Sequence, residues 1–139
     1  MSLDPLQLAF GDMEYEFAVT RKMLSCVPDD CFDWRPHNKS WTMSQLAGHT
    51  VDLFWFSAVI LAEDGLDMAK IWPRTEASTR AELMAQYETY EKQLREVLDR
   101  TTMDTLTEPW TLSHGSQPIF VTFADEVLVS GQISLYFPF

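Results

Sequence analysis

Three histidines, His37, His49 and His114, and two cysteines, Cys26 and Cys31, are the only imidazoles and thiols in the 139 residues. A structural or catalytic transition-metal site normally takes at least three protein ligands. His49 stands in the apolar stretch "SQLAGHTVDLFWF", His37 in "WRPHNKSW" and His114 in "EPWTLSHGSQPIF". Neither outlying histidine is spaced with His49 as a helical pair, and no H-x3-H occurs, so spacing alone builds no metal site. The plain reading of His49 is a core residue, its ring mostly apolar and satisfied by one hydrogen bond to Asp52 or a tyrosine. The sharper one is a ligand in a bundle core, where metal sites are assembled from facing helices.

The C-x4-C spacing of Cys26 and Cys31 matches no common zinc knuckle, and two thiols make no disulfide framework. Inert, reduced thiols are the plainer reading. Glu14, Glu16, Glu63 and Asp64 read as solvated helix faces, without the E-x-x-H of ferritin-like sites. There is no G-x-S-x-G, no phosphate-cradling glycine loop and no G-x-G-x-x-G.

The surrounding chain must position these groups. It is 46% hydrophobic, with five Trp, nine Phe, four Tyr and seven Met but only five Gly. That composition and length predict one domain over residues 1–139 that buries its own core. A net charge of −11, with Lys and Arg scattered, opposes phosphate backbones and anionic membranes. No signal peptide stands at the N-terminus and no apolar run reaches about 18 residues. The expectation is a soluble cytoplasmic protein with no nucleic-acid or membrane partner.

Asp4-Pro5 opens a first helix whose stripe is Leu6, Phe10, Met13, Phe17, Thr20 and Leu24, ended by Pro28. T-M-S-Q, a capping box from Thr42 to Gln45, opens a second. Its residues Leu46, His49, Leu53, Phe56 and Ile60 share one face, with Val51, Trp55, Ala58 and Ala62 nearly opposite. A helix apolar on two sides wants two neighbours, within the domain or across a dimer. A capping box from Thr79 to Glu82 opens a third helix, with Leu83, Tyr87, Tyr90, Leu94 and Val97 inward. "EPWTLSHGSQPIF" reads as loop or short hairpin, turning near Ser113-His114-Gly115. The last stretch, "FADEVLVSGQISLYFPF", fits either a fourth bundle helix through Phe123, Val127, Ile133 and Tyr136 or a strand. The fold class expected is all-α: an antiparallel four-helix bundle with a short or irregular fourth helix.

"VPDDCFDWRPHNKSWTMSQLAGHTVDLFWF", followed in order by "YETYEKQLREVLD", "EPWTL" and "GQISLYF", resembles the DinB/YfiT-like proteins over nearly the whole chain. The stretch from Val27 to His49 is the most specific part. The resemblance implies an up-down-down-up four-helix bundle, commonly a homodimer. It also implies a divalent metal, often zinc or nickel, held by three histidines: one in an L-x-x-H of helix two and two in an H-x3-H of helix four. Relatives include metal-dependent hydrolases and transferases or isomerases that use bacillithiol or mycothiol. His49 matches the helix-two ligand, and Gly131, Gln132, Ser134 and Tyr136 match the family's G-Q-x-S-x-Y. The family's arginine before that glycine is here Ser130. Counted without gaps, the histidine pair falls on Asp125 and Val129; with about three turns of helix deleted, both histidines are simply missing.

Two readings follow. In one the chain is a metal-dependent hydrolase or thiol transferase with a degenerate zinc or nickel site. His49 and Asp125 are then its ligands, Tyr136 or Asp52 stands behind them, and a small molecule or thiol is the substrate. In the other it is a non-catalytic bundle, a binding or dimerisation module that keeps the fold and an apolar pocket.

Overall fold

The computed structural model of the chain describes residues 4–70 and 74–123. Its elements, in order, are α1 (Pro5–Phe10), α2 (Met13–Ser25), a 3-10 turn (Asp29–Cys31), α3 (Met43–Ala62), β1 (Gly65–Asp67), α4 (Arg80–Leu98), α5 (Met103–Thr107), β2 (Pro109–His114) and β3 (Gln117–Phe123). The protein is mostly helical, with one small sheet.

The helix starts follow their local chemistry. Asp4 accepts from the Leu6 amide ahead of Pro5. Thr42 and Gln45 close a reciprocal capping box at 3.1 and 2.9 Å. Thr79 caps the Glu82 amide, while the Glu82 carboxylate reaches back one residue further, to the Ser78 amide. The stripe expected to make one first helix is instead divided at Gly11-Asp12, where α1 stops and α2 begins. Met13, Phe17, Thr20 and Leu24 are buried in α2, while Leu6 and Phe10 of α1 are only partly buried against that core.

Side-chain pairings give the directions. Arg95 meets Glu14, Arg21 meets Glu88 and Arg80 meets Asp29, so α2 runs antiparallel to α4. Ser44 lies beside Ala77 and Phe54 beside Tyr87, so α3 runs parallel to α4. Two parallel helices need a long return. β1 forms beyond the end of α3, and residues 74–79 lie along that helix and lead into α4.

The core sits where the three long helices meet. Phe54 is 1% exposed, 5.8 Å from the Phe17 ring and 5.1 Å edge-on to Tyr87. The Tyr87 hydroxyl donates to the Phe17 carbonyl at 2.9 Å. Burial and the nearby Glu91 raise the Tyr87 phenol well above its ordinary range. Glu91 is almost wholly buried between two guanidiniums, Arg21 and Arg95. Burial pushes its carboxyl up, but the hydrogen bonds from Arg95 and Arg21 outweigh that and leave it below the usual carboxylate range.

The inner face of α3 differs from the expected one. Ala47, Val51, Phe54, Ala58 and Leu61 are buried together with Ile60, whereas His49, Leu53 and Phe56 are half-buried and Leu46 is exposed. The Phe54 side is packed against the core, and the His49 side faces a cavity.

"EPWTLSHGSQPIF" is a hairpin, β2 and β3 pairing antiparallel from Pro109 opposite Phe123 to His114 opposite Gln117. Its tight turn uses Gly115 at a φ of 62°, left-handed backbone that glycine adopts freely. β1 pairs parallel with β2, Leu66 opposite Leu112, so a three-stranded sheet in the order β1-β2-β3 stands where an all-α fold has none. A Cβ at Gly65 would meet the Thr111 carbonyl oxygen at 2.3 Å, which is why glycine opens β1. Of the stretch expected to supply the fourth helix, Phe123 instead ends β3, and the rest, with Asp125 and Tyr136, lies outside the described residues.

Candidate functional site

His49 lies in the first half of α3, its ring centroid 5.1 Å from Trp41 in an edge-on contact at 75°. Trp41 is held there by the loop before the helix, which is tied down where the Met43 amide donates to the Trp34 carbonyl and the Ser44 amide to that of Phe32, both at 2.9 Å. Two adjoining cavities, of about 490 and 300 Å³, share His49, Asp52 and Arg74. The larger is walled by Leu53, Trp55, Phe56 and Met68, and the smaller is rimmed by Trp41, Thr75 and Glu76.

The returning segment forms the near wall, fastened to α3 at three positions one helical turn apart. The Ser44 hydroxyl donates to the Ala77 carbonyl at 2.7 Å. At Gly48 a Cβ would come within 2.0 Å of the Thr75 carbonyl oxygen, so the segment lies directly on the helix backbone. Asp52 accepts from the Thr75 hydroxyl at 2.6 Å and from the Thr75 amide at 3.1 and 3.2 Å. Burial pushes the Asp52 carboxyl above the usual range, against the pull of the Thr75 hydrogen bonds and of His49. Burial likewise raises the nearby Tyr90 phenol, helped by the Asp52 charge.

Asp52 therefore anchors Thr75 rather than satisfying His49. Among the described residues no hydrogen bond reaches the imidazole of His49, which faces a cavity rather than the packed core. His37 and His114 are both exposed. His37 accepts the Lys39 amide within its own loop, and His114 ends β2 in the hairpin. Among the described residues no group of three His, Cys, Asp or Glu side chains could hold a metal ion. The donor set around His49, one imidazole and one carboxylate already accepting three hydrogen bonds, does not fit a three-histidine metal. Asp125 lies outside the described residues.

The family model of the DinB superfamily matches residues 13–129, which include α2, α3, α4, the sheet and the cavity around His49. The chain belongs to the DinB superfamily. No curated protein and no solved structure matches it.

Within this DinB-superfamily chain, Gly48, Trp41, Arg74 and Thr75 were not singled out by motif or spacing. Gly48 carried a signal, since a lone glycine inside an apolar helix marks close backbone approach. Arg74 and Thr75 carried none, because they reach the site through the return of a long crossover. Cys26 and Cys31 are free, the first exposed and the second half-buried. Desolvation and the hydrogen bond to Asp30 raise the Cys31 thiol, which disfavours its thiolate. One described helix, α3, is long and apolar enough to cross a membrane by length and composition. It carries His49 in its first half and Asp52 at mid-length, and half of its apolar window is buried.

Proposed function

We propose that this chain is a small-molecule-binding member of the superfamily in which the cavity beside His49 is kept without a three-histidine metal centre. The observation that carries this reading is the placement of the three histidines. Only His49 borders the cavity, and its nearest carboxylate is engaged by Thr75. The cavity supports binding on its own, since its size is that of ordinary ligand sites and apolar walls surround a few polar groups. The fold we infer is the family's up-down-down-up bundle, with residues beyond 123 as the fourth element, and the functional unit is a cytoplasmic homodimer.

A second reading is favoured by the position of His49 in the family pattern and by its facing a cavity. There the chain is a metal-dependent hydrolase or thiol transferase, His49 and Asp125 hold zinc or nickel, and a bound metal would polarise a substrate or activate a thiol. Metal content by plasma mass spectrometry separates the two, on protein purified without added metal or chelator, with His49→Ala alongside. The binding-module reading expects no stoichiometric metal in either protein and no rise in melting temperature with added Zn²⁺ or Ni²⁺. About one metal per chain, lost in the variant, would overturn it in favour of the second.

A further inference from the structure

We infer that the cavity takes an organic carboxylate with an apolar body, its charged end held by Arg74 beside His49; this rests on the reading of that cavity as a ligand site. Among the described residues Arg74 makes no hydrogen bond and no ion pair; Arg21, Arg80 and Arg95 are paired with acids, while Arg35 and Arg100 have no acid partner either. Yet Arg74 borders both cavities. The acid best placed to neutralise it, Asp52, has both oxygens engaged by Thr75. The Thr75 anchor also fixes the backbone next to Arg74. Asp52 attracts Arg74 through space but makes no hydrogen bond to it, so the guanidinium N–H groups remain available to grip a ligand carboxylate with two parallel hydrogen bonds. His49 borders the same space and can add a donor. The rest of the larger cavity, Leu53, Trp55, Phe56 and Met68, is apolar and sets the body of the ligand. The chain's net charge of −11 opposes anions at long range, so selectivity for one must come from this local group.

The test is isothermal titration of the full chain with 4-phenylbutyrate, 4-phenylbutanol and 4-phenylbutylamine, and of an Arg74→Gln variant with the same three. Arg74 is exposed, so the variant is expected to fold, which circular dichroism checks. The carboxylate should bind the native chain about tenfold or more tighter than the alcohol, the usual size of a charge-assisted contact, and Arg74→Gln should erase that margin. If the alcohol or the amine binds as tightly as the carboxylate, or if Arg74→Gln leaves the margin intact, the inference is overturned while the cavity reading stands. If none of the three binds, both fall.

Discussion

At the scale of single residues, the cavity depends on groups that touch no ligand. Gly48 is the sharpest case, because any Cβ there would collide with the Thr75 carbonyl, a backbone atom that cannot rotate away. Gly48→Ala should lower stability by about 1–3 kcal/mol, as overpacking does, despite the roughly 1 kcal/mol of helix propensity that alanine brings. Urea denaturation measures this, and a variant more stable than the native chain would show that the segment does not lie on the helix. The sequence displayed His49 and Asp52 at i, i+3 and invited a bond between them. Thr75 takes the carboxylate instead, and nothing in local spacing could announce a residue 23 positions away. Trp41 is similar, since its contact with His49 depends on backbone bonds that tie the preceding loop to the start of α3.

At the scale of elements, the helices were legible where caps and stripes coincide. Thr42 and Thr79 begin α3 and α4 as their capping residues require, and Leu83, Tyr87, Tyr90 and Leu94 are buried together. The break between α1 and α2 was hidden because the apolar spacing continues through Gly11-Asp12. The inner face of α3 was hidden for another reason. Both of its sides are apolar, so periodicity could not say which side meets α4; Phe54, on the other side from His49, is the residue that packs on Tyr87. β1 is only three residues long and pairs with β2 across the whole of α4, a non-local contact that no short window reveals. Phe54 tests the packing directly. Phe54→Ala removes the ring between Phe17 and Tyr87 and should lower stability by about 3–5 kcal/mol, whereas Thr42→Ala should lower it by only about 1. Equal losses in the two variants, read by chemical denaturation, would contradict a core centred on Phe54.

At the scale of the molecule, charge and burial pull against one another with pH. Glu91 has its folded pKa below the unfolded 4.5, so its contribution is present above that value and is lost as pH falls through the lowered one. Asp52 has its folded pKa above the unfolded 3.8. The folded form therefore takes up that proton first, and stability gains as pH falls through the raised value. The net charge of −11 adds self-repulsion that fades as pH approaches the isoelectric point near 4.5. Thermal melts should thus peak on the mildly acid side, at about pH 5–6, and decline toward pH 8. A melting temperature that rises steadily to pH 8 would contradict this, because the Glu91 contribution is already fully present well below that pH.

The three fastenings of the returning segment, at Ser44, Gly48 and Asp52, also bear on how this sequence can drift. They hold one piece of chain, so substitutions among them are not independent. The first change frees the segment, and the second then finds little left to break. A chain that has lost one fastening is released to vary at the others, and with them at Arg74. Ligand preference around His49 can therefore shift through a helix residue that never meets the ligand.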